Sequence, residues 1–336
     1  MKIGIAGTGF MGSTHAAAWC ETPAQITALV AETPPEAESL ANWCGAQIYD
    51  DFTSMIRDVD VVDICTPTHL HHEMVLLAAE QGRHIVCEKP LARTVEQARE
   101  MVAACRKAGV HLLVAHVVRF FPEYALARAA VAEGQIGRPG ILRLTRGSFR
   151  PKKPVGNWFL DEAKSGGILM DLMIHDYDYA RWVAGEVESV IAQKVTANHP
   201  DASVDYGLAI LKHKSGALSH IAGSWAYPPP TFRTQIEISG DKGLIEFSSD
   251  STAPIQNLLL KTSSGDSPDV GLPASPVSES PYTTQIKEFY AALTEGLPAR
   301  VSPEDGLAAV QIAQAAIQSA QSGVAITLES LPEVGS

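Results

Sequence analysis

The sequence is short of what several function classes need. Its five cysteines, Cys20, Cys44, Cys65, Cys87 and Cys105, are scattered and odd in number, with no C-x-x-C pair and no zinc spacing. That excludes a disulfide framework and fits buried apolar thiols in a reducing compartment. No apolar run approaches the ~20 residues that cross a bilayer. Basic residues are outnumbered: 26 Lys and Arg against 38 Asp and Glu give a net charge of −12. A nucleic-acid surface or an anionic membrane surface needs clustered Lys and Arg, so neither is expected as a partner. A small anionic ligand held by a local site stays compatible with that charge. The first strand begins almost at Met1, leaving no room for a signal peptide, and a cytoplasmic location is expected.

At 336 residues, 46% hydrophobic and 19% charged, the chain has material for two domains with separate cores. The opening stretch, MKIGIAGTGFMG, organises the first. A short apolar strand runs into Gly7, Gly9 and Gly12 at the spacing G-x-G-x-x-G, and a helix-compatible segment follows from His15 to Cys20. Strand, glycines and helix in that order form the dinucleotide fingerprint. Gly7 permits the tight turn, Gly9 lets a pyrophosphate approach the backbone, and Gly12 lets the helix pack closely on the strand. The turn Gly7-Thr8-Gly9-Phe10-Met11-Gly12 is thus the candidate cradle, its anion held by free N–H groups at the helix N-terminus.

Strand-like and helix-like segments then alternate, the pattern of a doubly wound parallel sheet. Gln25–Val30 reads as the second strand, and Glu32 follows it where a ribose diol is held. A carboxylate there accepts from the diol and repels a 2′-phosphate, which favours NAD over NADP; a solvated turn residue is the alternative. The near-continuous apolar run Val59–Cys65 ends in Thr66-Pro67, and His71 lies just beyond, all at a ligand-facing strand edge. The group His69, His71 and His72 lacks a carboxylate or cysteine set at useful spacing, so no metal is expected. His84–Cys87 is a further strand, ending in Glu88-Lys89-Pro90. A charged pair at the end of a buried strand is costly unless paired or used, and the Lys89 amine could donate to a substrate oxygen. Thr94-Val95-Glu96-Gln97 has capping-box form for a helix that stops at Gly109. Val110–Val118 reads as the last strand, leaving the Arg119 guanidinium at its functional edge.

The pattern changes after residue 121. Longer alternating strands (Val187–Thr196, Tyr206–Lys212, Gly216–Trp225, Thr234–Ser239, Lys242–Phe247) predict an α+β domain over 122–336 with a large, mostly antiparallel open sheet. Ser248–Pro281 reads as an irregular hairpin or loop, and Ser302-Pro303-Glu304-Asp305 as the cap of a packing helix ending before Gly323. The most informative stretch is NWFLDEAKSGGILMDLMIHDYDYARW, from Asn157 to Trp182. Gly166-Gly167 precede a helix on which Asp171 and His175 stand four residues apart and therefore share one face. A buried Asp–His pair fixes the imidazole tautomer and suits a proton acceptor near neutral pH. Asp178 reads as a supporting or structural acid. The basic run Arg143, Arg146, Arg150, Lys152 and Lys153 is either a solvated strand edge or a recognition site for a carboxylate or phosphate. Trp158 is either a sugar-stacking platform or core.

GTGFMG, ICTPTHLHHEMVLLAAEQGRHIVCEKPL and VAHVVRFFPEY together resemble the glucose–fructose oxidoreductase, inositol dehydrogenase and rhizopine-catabolism (Gfo/Idh/MocA) family of NAD(P)-dependent oxidoreductases, with Arg83 where Lys is usual. The pattern S-G-G-x-x-x-D-x-x-x-H-x-x-D, with Gly166, Gly167, Asp171, His175 and Asp178 in register, resembles the family's second signature. The resemblance implies that Thr66, Pro67, His71 and Glu88 line the cofactor and that Lys89 reaches both substrate and nicotinamide ribose. It implies that Arg119 sits near the nicotinamide end and the substrate. His116 stands where many relatives carry a small polar residue, so the local pocket is expected to differ. Relatives use the corresponding Lys, Asp and His together, which points to Lys89, Asp171 and His175 as the catalytic set. Lys89, His116, Arg119, Trp158, Asp171 and His175 are the candidate substrate contacts. The expected reaction is hydride exchange between nicotinamide and a secondary alcohol or ketone of a sugar, inositol or related polyol. The alternatives are an NAD-dependent glycosidase of the same fold and a non-catalytic dinucleotide sensor. The open sheet resembles the family's oligomerisation surface, implying a homodimer or homotetramer.

Overall fold

The computed structural model describes residues 1–152, 157–199, 202–250 and 279–330. It forms two compact units, one of Met1–Phe121 with Ser275–Val310, the other of Pro122–Ala274 with Gln311–Gly335. No helix among the described residues is long and apolar enough to cross a membrane.

In the first unit the order is β1 (Lys2–Ala6), α1 (Phe10–Trp19), β2 (Gln25–Val30), α2 (Pro34–Cys44), β3 (Gln47–Ile48), α3 (Phe52–Met55) and β4 (Val61–Ile64). Then come α4 (Thr68–Glu80), β5 (His84–Glu88), α5 (Val95–Ala108) and β6 (Leu112–Ala115). The six strands are all parallel in the order β3-β2-β1-β4-β5-β6, a doubly wound sheet. Its interior strands are buried on both faces because helices cover both. The helix stops are local: the Gln97 N–H donates to Thr94 Oγ1 at 3.2 Å at the start of α5, and Gly109 closes it with φ +69°. The strand expected to run to Val118 ends at Ala115, and Val117–Phe120 forms a 3₁₀ turn. The reason is pairing: Ala115 lies opposite Glu88, the last residue of β5, so nothing remains to pair with beyond it.

The second unit contains α6 (Pro122–Ala132), β7 (Pro139–Gly147), α7 (Glu162–Ser165), α8 (Gly167–Asp171), α9 (Ile174–Ala184), β8 (Val187–His199) and β9 (Ala202–His213). It continues with β10 (Leu218–Ser224), β11 (Arg233–Gly240), β12 (Leu244–Ser248) and, late in the chain, β13 (Ile326–Thr327). Among the described residues seven strands stand in the order β12-β11-β7-β10-β9-β8-β13, with β7 and β10 paired parallel and the other neighbours antiparallel. α8 and α9 pack on one face of this sheet. Two long helices complete the chain, α10 (Pro281–Glu295) in the first unit and α11 (Pro303–Ser322), whose first turn is capped by Ser302 Oγ accepting from the Asp305 N–H at 3.1 Å. Both halves therefore have the fold class that the sequence predicts. Most of the stretch read as an irregular hairpin, 251–278, lies outside the described residues.

Candidate active site

In a parallel sheet all carboxyl ends share one edge, and ligands bind where the strand order reverses, here between β1 and β4. The three glycines after β1 differ in what they permit. Gly7 has φ +90°, and a Cβ there would lie 2.6 Å from the Cys65 carbonyl oxygen. A Cβ on Gly12 would run into the Gly7 carbonyl, while one on Gly9 meets nothing within 4 Å. Gly7 and Gly12 are thus required by the protein itself, and Gly9 faces open space. Thr8 is buried between them; Phe10 is exposed and Met11 half-buried at the start of α1. Glu32 is exposed two residues past β2.

Two turns at the same edge are tied together by His71. Its ring nitrogens lie 2.9 Å from the Thr66 and Pro90 carbonyl oxygens, so α4 holds the turn after β4 against the turn after β5. Burial pulls the His71 pKa below its ordinary value against the pull of those carbonyls. Pro67 caps α4 from the half-buried turn, and Lys89 is half-buried just after β5. Glu88 is buried, and its Oε2 accepts the Lys89 N–H at 3.0 Å. Its other oxygen, Oε1, lies 3.1 Å from His15 Nε2. His15 Nδ1 in turn lies 3.0 Å from both oxygens of Asp63, and the Trp19 indole N–H donates to Asp63 at 2.7 Å. His15 and Asp63 are fully buried.

Arg119 is buried in the 3₁₀ turn. Its guanidinium donates to the Arg300 carbonyl and to Asp305 Oδ2, both at 3.0 Å, and Arg300 donates back to the Arg119 carbonyl at 2.9 Å. These bonds anchor the segment after β6 inside the first unit. His116, just before that turn, is fully buried.

In the second unit the helix read as continuous is broken. α8 ends at Asp171, α9 starts at Ile174, and the Met173 N–H reaches back five residues to the Ile168 carbonyl at 3.1 Å. Asp171 and His175 therefore flank a break rather than stack on one regular helix. The cause lies in the sheet. Gly207 and Gly223 pair across β9 and β10, and a Cβ on either would lie 2.5 Å from the Met173 side chain. The paired glycines form a slot, and Met173 fills it. Asp171 is buried beside the break, His175 is half-buried, and Asp178 is fully buried. Trp158 is half-buried and stacked on Phe159, with ring centroids 4.0 Å apart.

The basic run is divided by the structure. Arg146 is buried in a two-bond pair with Asp176, at 2.7 and 2.9 Å, and also donates to the Tyr124 hydroxyl at 3.2 Å. Neither expected role, solvated edge or substrate contact, describes it. Burial pushes the Tyr124 hydroxyl pKa up to about 12. Arg143 pairs with Glu237 directly across β7 and β11, and Lys152 is exposed. Lys153 lies outside the described residues.

Comparison with known proteins agrees with this geometry over both units. Residues 1–116 match the oxidoreductase family with an NAD-binding Rossmann fold, and residues 124–246 match the GFO/IDH/MocA C-terminal domain. Myo-inositol 2-dehydrogenase of Thermotoga maritima is 30% identical over 98% of this chain and 99% of its own. The chain belongs to the Gfo/Idh/MocA oxidoreductase family. The 1,5-anhydro-D-fructose reductase of Ensifer adhaerens is 31% identical over 81% of each chain. A levoglucosan dehydrogenase solved with NADH and levoglucosan superposes with a TM-score of 0.82 at 26% identity, covering 98% of this chain and 100% of the other.

The first unit of this Gfo/Idh/MocA member has the features a dinucleotide needs. Gly9 leaves open space at the N-terminus of α1, the first turn of α1 carries no acidic side chain, and Thr8 Oγ1 is buried there with no hydrogen-bond partner. The sequence reading passed over His15, Asp63 and Asp176. An acid inside the apolar run VDVVDIC, and a histidine on a core-facing helix, were the available signals.

Proposed function

We propose that this protein is an NAD-dependent dehydrogenase exchanging hydride with a secondary alcohol or ketone of a neutral sugar, inositol or related polyol. The observation that carries the reading is the open approach at Gly9 beside the buried, unpartnered Thr8 hydroxyl, together with family membership across both units. The bound dinucleotide supplies the hydride acceptor or donor. Gly7, Thr8, Gly9, Phe10, Met11 and Gly12 cradle its pyrophosphate, and Thr66, Pro67, His71 and Glu88 shape the edge along which it lies. Glu32 accepts from its ribose diol, which favours NAD over NADP because a 2′-phosphate would face a carboxylate. His175 takes the hydroxyl proton on an imidazole nitrogen as the carbon loses hydride and becomes a ketone. Asp171 orients that imidazole, and Lys89 donates to the same oxygen and to the nicotinamide ribose. Arg119 and His116 fix the shape of the strand edge near Lys89, and Trp158 offers an aromatic face to the sugar.

The engagement of Arg143 and Arg146 in internal pairs supports a neutral substrate over an acid or phosphate. The outer face of the second sheet supports a homo-oligomer. Ile141, Ile191, Val195, Tyr206, Leu208 and Leu218 stand exposed on four neighbouring strands of it. The thiols, none in a disulfide, support the expected cytoplasmic location.

The test is a turnover screen following reduced nicotinamide, with NAD and with NADP, against inositols, aldoses, anhydrosugars, sugar acids and sugar phosphates. Turnover with NAD and a neutral polyol is expected. Turnover confined to sugar acids or phosphates would overturn the substrate class, and tight NADH binding without any turnover would overturn the enzyme.

A further inference from the structure

Within the first unit, an imidazole from α1 stands between carboxylates from two adjacent strands. His15 Nδ1 is 3.0 Å from both oxygens of Asp63 on β4, and Nε2 is 3.1 Å from Glu88 Oε1 at the end of β5. All three side chains are shut off from solvent, at 0%, 0% and 8% exposure. A neutral imidazole carries one N–H. If it sits on Nδ1, toward Asp63, the Nε2 lone pair points at a carboxylate oxygen across 3.1 Å of dry protein. Nε2 and Glu88 Oε1 are both buried 3.1 Å apart, and neither has another hydrogen-bond partner. Two orphaned acceptors facing each other is an arrangement a protein avoids, and one proton between them removes the conflict.

We propose that His15 is a positioning residue for the reaction described above: as an imidazolium held between Asp63 and Glu88, it fixes the Glu88 carboxylate and, through it, the peptide that presents Lys89. The chain of contacts is continuous. Trp19 and His15 hold Asp63, His15 holds Glu88 Oε1, and Glu88 Oε2 accepts the Lys89 N–H. The titratable groups facing the ring are Asp63 and Cys65 from β4 and the residue after it, and Glu88 from β5. Burial lowers the His15 pKa, but the Asp63 carboxylate outweighs it and holds it well above the ordinary value. The same desolvation pushes the Cys65 thiol far up, so that sulfur is an inert neighbour rather than a nucleophile. His15 also lies on the helix whose N-terminus forms the glycine turn, so one ring ties the cofactor cradle to the Lys89 turn.

The inference rests on the dehydrogenase reading for its catalytic consequence, and the test separates the two. Nitrogen-15 histidine NMR of the full-length protein, with His15 assigned by its absence in His15→Gln, reads the ring directly. Both ring nitrogens are expected to be protonated at about pH 8, where an ordinary imidazole is neutral; a neutral His15 there overturns the proposal. In Glu88→Gln the new amide can donate to Nε2 while Asp63 stays on Nδ1, so the ring is expected to lose its second proton at a lower pH than in the wild type. A ring that titrates as in the wild type would break the link to Glu88, and this variant answers even if His15→Gln does not fold. Amide exchange at Lys89 is expected to quicken about tenfold in Glu88→Gln or His15→Gln as the carboxylate clamp loosens, and unchanged exchange overturns the positioning role. On whichever polyol the wild type oxidises, His15→Gln is expected to lower kcat about 10²-fold with KM little changed and NADH affinity within about threefold. Weakened NADH binding with unchanged kcat would overturn it. A wild type that turns over no polyol would defeat the dehydrogenase reading, while the ring and amide measurements still decide this one.

Discussion

The Arg146 guanidinium grips the Asp176 carboxylate through two parallel bonds, Nε to Oδ2 at 2.7 Å and Nη2 to Oδ1 at 2.9 Å, with both side chains buried. β7 is thereby locked to α9, the helix that carries His175 on its first turn. A buried pair adds little net stability over apolar residues of the same size, but removing one partner strands the other charge. Asp176→Ala is therefore expected to cost about 3–5 kcal/mol by urea unfolding. The double change Arg146→Met with Asp176→Leu should restore most of that loss. A single variant within about 1 kcal/mol of wild type would show that water reaches the guanidinium.

The glycine turn separates folding from binding at two positions. Gly12→Ala drives a Cβ into the backbone carbonyl of Gly7, which has no freedom to move aside, so thermal stability should fall along with NADH affinity. Gly9→Ala puts a methyl into open space. Its melting temperature should match wild type while NADH affinity, measured by protein fluorescence quenching, falls at least about tenfold because the backbone can no longer approach the pyrophosphate. A Gly9→Ala protein that binds NADH normally would move the cradle elsewhere.

The break between α8 and α9 depends on two glycines that neighbour each other in the sheet. Gly223→Ala places a Cβ against the Met173 Cγ, and overpacking of that kind costs about 1–3 kcal/mol. Shortening the intruding side chain relieves it. The pair Gly223→Ala with Met173→Ala is expected to be more stable than the sum of the two single changes predicts, a coupling that a double-mutant cycle measures.

These contrasts show which parts of the molecule were legible beforehand. The glycine spacing and the apolar strands of the parallel sheet depend on local chemistry, so the fold of both units and the strand-edge position of Thr66 and Lys89 could be read directly. The helix break could not. It arises from a slot made by Gly207 and Gly223, which stand 16 residues apart in sequence and face Met173 only once β9 and β10 have paired. Arg146 looked like one more member of a basic run because its partner, Asp176, is 30 residues away. The strand predicted to reach Val118 failed for the same kind of reason: Val117 and Val118 favour extended backbone, but β5 ends opposite Ala115. His15, Asp63 and Glu88 lie on three elements and meet only through the sheet order.

The outer face of the second sheet makes the oligomer testable. Ile191 lies opposite Ile210 and Val195 opposite Tyr206 across β8 and β9, all at least 40% exposed. Cross-strand apolar pairs left in water favour self-association. Leu208→Lys with Ile210→Lys should leave the fold intact and shift the species seen by light scattering toward the monomer. An unchanged mass would remove this face from the interface.

The roles assigned to His175 and Lys89 differ in what they touch, and kinetics can tell them apart. In the proposed reaction His175 acts only on the hydroxyl proton, so His175→Ala should lower kcat by about 10²–10⁴-fold and leave NADH affinity within about twofold. The role proposed for Lys89 has it donate to the substrate oxygen and to the nicotinamide ribose, so Lys89→Ala should lower kcat and weaken NADH binding together. Lys89→Arg should not restore activity, because a planar fork cannot replace a compact ammonium on the turn held by Glu88 and His71. Wild-type turnover in His175→Ala would mean that another group takes the proton. A Lys89→Ala enzyme with lowered kcat and unchanged NADH affinity would confine the amine to the substrate.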